Sequence, residues 1–216
     1  MYEDPVCDAH WHCLEEGFPH HQIYLVDDDD LLGFANAMPF VWDGSPDTLP
    51  MGIDGVMCAG AEVSRRGLRP TALSAIQAVV RPDLQGRGLS RVLLGGMADT
   101  ARAAGFEHFV APVRPTWKPR FPAVSMHDYM AWVRPDGLPF DPWLRVHARM
   151  GATVMCVAER SMEIPGSVAQ WEEWTGMTFR QSGSYEIPGG LVPVEIDIEG
   201  DRGLYVEPNV WMRHPL

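Results

Sequence analysis

Residues Thr71–Val80 form an apolar run, broken only by Ser74 and Gln77, that stops at a proline and gives way to glycine. The run reads as a largely buried strand, and Arg81-Pro82 ends it because proline cannot continue a central ladder. Asp83-Leu-Gln-Gly-Arg-Gly-Leu-Ser90 follows. From there Leu89, Val92, Leu93, Met97, Ala101 and Ala104 recur on one helical face, and Gly105 sits where a C′ glycine closes a helix. His108–Val113 is the next strand. Strand, glycine-rich turn, helix and strand make a βαβ-like unit.

The turn joins a strand to a helix N-terminus. The first helical turn carries backbone N–H groups without intrahelical partners, and the macrodipole adds partial positive charge there. Glycines at 86 and 88 let the backbone close on an anion, for which a pyrophosphate is the natural guest. A nucleotide P-loop is excluded, since no lysine stands in the turn. A Rossmann turn is excluded because Arg91 occupies the position of its third glycine. The bare alternative is a tight turn with no ligand.

Ahead of this unit, Ile23–Val26 and Leu31–Trp42 read as two strands of a hairpin turned by Asp27–Asp30. Residues 43–55 read as a loop and Val56–Val63 as a further strand. Residues 1–21 hold Cys7, His10, His12, Cys13, His20 and His21, but their spacing matches no closed zinc pattern. An aromatic and histidine-rich helix or pocket wall is preferred there to a metal site. After Val113, residues 114–142 carry six prolines, and a loop of that length is usually functional or mobile. Asp141-Pro142 then reads as an N-cap and N1 proline opening a helix to Met150, closed by Gly151. Ala152–Ile164 contains a strand and Val168–Trp174 a short helix. Leu191–Ile198 alternates as a strand, turns at Gly200–Gly203 and returns as Leu204–Val206. No repeat or linker interrupts the chain, so a single domain over 1–216 is expected.

Acidic residues outnumber basic ones 29 to 17, for a formal net charge of −12. That argues against a nucleic-acid or acidic-membrane binder, which would carry a basic stripe. It leaves room for a cationic partner, although acidity that serves only solubility explains it as well. Lys118 is the single lysine among the basic residues, a bias expected of a GC-rich bacterial genome. The four cysteines form no CxxC pair. The start of the chain has no apolar signal region, and no apolar run approaches the roughly 18 residues of a membrane span. A soluble cytoplasmic protein is the expectation.

Val79-Val-Arg-Pro-Asp-Leu-Gln-Gly-Arg-Gly-Leu-Ser90 resembles motif A of the GNAT superfamily of acyl-CoA-dependent N-acetyltransferases, V-x-P-x-x-(Q/R)-x-x-G-x-(G/A). Gln85 matches the Q/R position and Gly88 the invariant glycine, while Ser90 stands in place of the last small residue. Arg145-Val-His-Ala-Arg-Met-Gly-Ala152 resembles the motif B helix, with His147 where the family often has a tyrosine. The likeness spans residues 72–160 and leaves the 114–140 loop and residues 165–216 as elaborations. It implies an α/β (α+β) fold with a mixed, mostly antiparallel, splayed central sheet flanked by helices.

The resemblance also implies a reaction. Acetyl moves from acetyl-CoA to a primary amine of a small, cationic molecule, by direct attack in a ternary complex and without a metal. Amides from Gln85, Gly86, Arg87, Gly88, Leu89 and Ser90 would bind the pyrophosphate, with Arg81, Arg87 and Arg91 placing positive charge around it. The strand edge at Ala78, Val79 and Val80 would pair with the pantetheine arm. His147 is the candidate general acid, because an unperturbed imidazole titrates near neutrality, at about pH 6.5, or else a substrate-positioning residue. Ser74 and Glu62 are weaker catalytic candidates, Glu62 only if its strand lies beside the cleft. His127, Asp128 and Tyr129 in the Pro-rich loop are the acceptor-site candidates. Two other readings stay open: a catalytically silent CoA-binding module, or a transferase of another acyl group or acceptor. The apolar strands near the C-terminus would suit a homodimer interface.

Overall fold

Asp27 and Asp30 pair across a tight turn in which Asp28 takes a positive φ of 48°, a conformation that aspartate tolerates. This hairpin opens a sheet whose description comes from a computed structural model covering residues 3–216. In chain order the helices are α1 (Pro5–His10), α2 (His12–Glu16), α3 (Ile53–Arg66), α4 (Leu89–Ala103), α5 (Met126–Met130), α6 (Pro142–Arg149) and α7 (Val168–Thr175). The strands are β1 (Gln22–Asp27), β2 (Asp30–Phe40), β3 (Ala72–Val80), β4 (His108–Val113), β5 (Thr153–Gly166), β6 (Gly183–Tyr185), β7 (Val194–Asp197) and β8 (Arg202–His214). All eight belong to one sheet, ordered β1-β2-β3-β4-β8-β7-β6, with β5 on the other edge of β8. Every pairing is antiparallel except β3 with β4. This is the mixed, open architecture expected. No helix among the described residues is long and apolar enough to cross a membrane.

Helices cover both faces. Leu93, Leu94, Met97, Ala98 and Ala101 of α4 pack on Ala35, Leu73 and Ala75, forming one core. Val92, expected on the packed face, is 53% exposed and Leu94 takes its place. The buried residues still recur at helical spacing, with the stripe rotated by part of a turn. On the opposite face α1, α2 and α3 cover Met38, Phe40, Trp42, Ala72 and Ile76. A third cluster joins Trp171 of α7 to Ile196 and Tyr205.

The expected strand at Val56–Val63 is the middle of α3. Its buried residues are Ile53, Val56, Met57, Gly60 and Val63, which is helical spacing, and Gly67 closes the helix at φ 60°. Gly60 is there for close approach, since a Cβ would stand 2.3 Å from the Met38 side chain. Glu62 is therefore not on a strand beside the cleft. It lies on the outer face of α3, paired with Arg66 at 2.8 Å and Arg65 at 3.4 Å as helical i,i+4 and i,i+3 neighbours.

The Pro-rich segment is packed rather than open. Trp117, Phe121, Tyr129, Trp132 and Phe140 meet mostly edge to face, with centroids 5.0–6.2 Å apart. Asp141, almost fully buried, organises them. Its Oδ1 accepts from the amides of Trp143 and Leu144, capping α6 as expected. Its Oδ2 accepts from Tyr129 Oη at 2.9 Å and the Trp117 amide at 2.7 Å. Lys118 is also fully buried and donates to the carbonyls of Phe121 and Leu191.

The His/Cys-rich N-terminal segment forms α1, α2 and the wall beside them. His21 packs against Phe18 and Phe106. Cys7 gathers with Asp4 and Asp54, ligand atoms lying within 4.8 Å of one another, rather than with the neighbouring histidines. Asp4 Oδ1 caps α1, and Asp54 Oδ2 accepts from the Glu163 amide at 3.0 Å. The other oxygens, Asp4 Oδ2 and Asp54 Oδ1, are buried without partners. Burial and the adjacent Asp4 charge push the Asp54 carboxyl up to about 7. One proton shared between the two free oxygens satisfies both and fastens α1 to α3.

Candidate active site

β3 and β4 pair only from Ala72 to Ser74, opposite His108 to Val110. Beyond that point they part, while β3 stays paired to β2 as far as Val80. The β3 edge over residues 75–80 therefore faces a gap, and Pro112 of β4 has no N–H to offer across it. The gap holds a cavity of about 190 Å³. Leu94 and Met97 of the α4 core line it, as do Ile53 and Ile76 of the opposite core, so it opens through the sheet. Trp143, His147 and Arg114 also line it.

From this cavity β3 leads directly into the glycine turn. Gly86 and Gly88 have φ of 78° and 82°, in the left-handed region that glycine adopts without strain. A Cβ at either would meet nothing within 4 Å, so the outer side of the turn is open. The Gln85 amide is engaged with Pro82 O and the Arg91 amide with Gly88 O. The amides of Gly86, Arg87, Gly88, Leu89 and Ser90 between them have no partner among the described residues. The anion cradle is thus one amide narrower than the expected span of Gln85 to Ser90, and Arg91 contributes its side chain rather than its amide. The side chains of Arg87 and Arg91 are exposed beside it, and Arg81 is held by Asp83 at 2.8 Å.

Of the expected strand-edge residues, Ala78 lines the cavity, Val80 packs with the α4 core, and Val79 lies on the opposite face. His147 lines the cavity from α6 and is 1% exposed. Its Nδ1 lies 2.8 Å from Nε2 of His214, and its own Nε2 has no partner. Trp143 closes over the ring at 4.6 Å, edge to face. Burial, with the nearby His214, drives the His147 imidazole down to about 3. The near-neutral titration on which its role as general acid rested is therefore absent, and at pH 7 the ring is neutral. A neutral imidazole offers one N–H and one lone pair.

The remaining candidates lie elsewhere. Ser74 is buried at the last rung of the β3–β4 pairing, where its Oγ donates to Ala75 O at 3.3 Å. His127 is exposed and meets Glu159, while Asp128 accepts from the Ser125 hydroxyl. Tyr129 is 1% exposed with its hydroxyl spent on Asp141, and burial with that carboxylate pushes the phenol up. None of His127, Asp128 and Tyr129 lines the cavity, because the aromatic cluster turns that segment inward.

Arg114 at the cleft and Glu207, the buried partner that holds it, were not anticipated. Arg114 donates through Nε to both oxygens of Glu207, at 2.9 and 3.0 Å, and through a terminal nitrogen to Gly189 O at 2.8 Å. Glu207 is 2% exposed and also accepts from Tyr205 Oη and Asn209 Nδ2. Asn209 Oδ1 in turn accepts from Ser161 Oγ, which accepts from the Ile53 amide. The signal for Glu207 was its place as the lone acid in the apolar run Leu204–Met212.

No family model matches the chain. Over 240 aligned residues it is 32% identical to the arginine N-acetyltransferase avaD of Aspergillus versicolor, covering 98% of this chain and 82% of that protein. The loading GNATL domain of CurA from Lyngbya majuscula superposes with a TM-score of 0.60 at 19% identity, covering 96% of this chain and 82% of that one. The GphF GNAT-like decarboxylase, solved with isobutyryl-CoA, gives 0.53 at 17% identity over 95% and 83%. Those two likenesses speak for the fold. With the motif residues in place on that fold and a relative aligned along nearly the whole chain, this protein belongs to the GNAT superfamily of acyl-CoA-dependent N-acetyltransferases.

Proposed function

We propose that the chain moves an acetyl group from acetyl-CoA to a primary amine of a small molecule, by direct attack in a ternary complex. The carrying observation is the parting of β3 from β4 immediately before a turn whose amides from Gly86 to Ser90 are free. Those amides and the α4 dipole suit a pyrophosphate, with Arg87 and Arg91 adding charge beside it. The open β3 edge near Ala78 suits an extended amide-bearing arm, which would pair as a strand does. The thioester then lies in the gap. The unprotonated amine attacks its carbonyl, the C–N bond forms, the C–S bond breaks, and sulfur leaves as a thiolate. The amine gives up one proton in the process. That proton goes to the departing thiolate or to solvent, while His147, neutral at the cleft wall, serves as a hydrogen-bond partner there rather than as an imidazolium donor. The arginine N-acetyltransferase relative supports a cationic acceptor. Four free cysteines suit a reducing cytoplasm.

The test follows thiol release from acetyl-CoA across an amine panel, with thermal unfolding in the presence of CoA. At about 100 times its Kd, CoA should add roughly 2.7 kcal/mol. For a chain of this size that raises Tm by roughly 5–10 °C. Gly88→Ala should raise the KM for acetyl-CoA tenfold or more, by straining a backbone that must hold positive φ. Gly105→Ala, at φ 73° and equally open, supplies the matched strain away from the site and should leave that KM unchanged. The absence of both stabilisation by CoA and thiol release with every amine overturns the reading.

A further inference from the structure

A second and larger cavity, about 830 Å³, lies on the α1–α3 side of the sheet. That volume is ample for an amino-acid-sized ligand. Its floor is an aromatic strip left uncovered by any helix, where Tyr24 of β1 pairs with Phe34 of β2 and Phe34 with Val79 of β3. Tyr24 is 61% exposed, an unusual setting for a sheet-face aromatic without a partner. Its rim comes from Asp8 of α1, Glu15 of α2 and Trp11 between the two helices. No basic residue lines it, and neither Asp8 nor Glu15 makes an ion pair among the described residues. Gln77 lines both this cavity and the gap between β3 and β4, so a single residue borders the two spaces. Its amide is held by Asn36 at 2.7 Å.

We infer that this cavity seats the acceptor, and that it selects an amine carrying a second, permanent cation, a guanidinium. The inference rests on the acetyl-transfer reading above and adds the site and its selectivity. The attacking nitrogen must reach the thioester unprotonated, and a carboxylate beside it would hold its proton on. Asp8 and Glu15 therefore serve a different charge on the same molecule. A guanidinium is flat, stacks on aromatic faces and pairs with carboxylates through a fork of N–H groups. Trp11, Tyr24 and Phe34 offer the faces, and Asp8 and Glu15 the carboxylates. The amine end then points past Gln77 toward the gap, meeting from one face of the sheet a thioester held from the other.

The full-length protein tests this with L-arginine against L-citrulline, which keeps the α-amine and replaces the guanidinium by a neutral urea. Wild-type kcat/KM should favour arginine by a hundredfold or more. Asp8→Asn and Glu15→Gln should each raise the arginine KM about tenfold, narrow the preference for arginine over citrulline, and leave the acetyl-CoA KM as it was. Glu16→Gln, an exposed carboxylate on α2 outside the cavity, should change nothing. Turnover without preference for arginine, or an arginine KM within twofold of wild type in both variants, would overturn the inference while leaving acetyl transfer intact. Calorimetric titration of L-arginine into wild type and the double variant covers the case of no turnover. Binding lost with the carboxylates upholds the cavity's selectivity, and no binding to wild type refutes it. Sedimentation of a Tyr24→Ala variant covers a competing occupant. If that change dissociates a dimer, the strip is an interface between copies and the proposal fails.

Discussion

Between His147 Nδ1 and His214 Nε2 there is room for one proton, in surroundings that penalise a second. Burial drives His147 down to about 3 and His214 to about 4, the first helped by its partner. In the unfolded chain both return to about 6.5. The unfolded state therefore binds more protons through the window between, and the stability these histidines carry is full above pH 6.5 and lost as pH falls toward 4. Replacing both by glutamine should remove that dependence. In urea unfolding, the wild-type minus variant difference should shrink by roughly 5 kcal/mol, about 2.5 for each ring, between pH 7 and pH 4.5; a difference constant with pH would show that the pair does not titrate this way. For the proposed reaction, His147→Phe should cut kcat tenfold or more with the CoA-induced Tm shift retained. At this scale the glycines were legible, because a positive φ leaves its mark in one residue. The Arg114–Glu207 pair was not, because its partners lie far apart in the chain and only the sheet brings them together.

The attachment of α1 to α3 works in the opposite direction. Asp54, raised to about 7 from an ordinary value of 3.8, stabilises the fold when protonated. That contribution is complete below pH 3.8 and lost as pH rises through 7. Asp54→Asn keeps an acceptor for the Glu163 amide and supplies a permanent donor for Asp4 Oδ2. It should stabilise the protein by roughly 3 kcal/mol at pH 8, with the gain fading toward pH 5. Equal gains at both values would rule out the shared proton. Since this carboxyl and the two histidines have opposite signs over overlapping ranges, the wild-type acid profile should be flatter than that of either variant. Among the elements, α4 and α6 were legible because their ends are written in glycine, proline and an aspartate cap. The α3 helix was misread because a stretch rich in Ala and Gly carries too few large side chains to separate a period of two from one of 3.6. The 114–140 segment read as a loop because its order comes from aromatic contacts and one aspartate, which have no local period.

Across the whole molecule, a chain of net charge −12 has to receive a polyanion and, on the proposed reading, a guanidinium. The sheet keeps the two apart. Free amides and the arginines at 87 and 91 lie at one end of β3, and the carboxylates of Asp8 and Glu15 border the cavity on the far face. The mixed, open sheet was legible from the order of elements around motif A. The second cavity was not, since no stretch of sequence shows which face of a sheet its helices leave bare. Lys118, the only lysine, is fully buried with its ammonium on two carbonyls. The surface thus presents no lysine amine to a reactive thioester. A protein of this acyl-CoA-dependent superfamily therefore gives a thioester no lysine of its own to acylate. Intact-mass measurement after long incubation with excess acetyl-CoA should find Lys118 unmodified in the folded protein and reactive once it is unfolded.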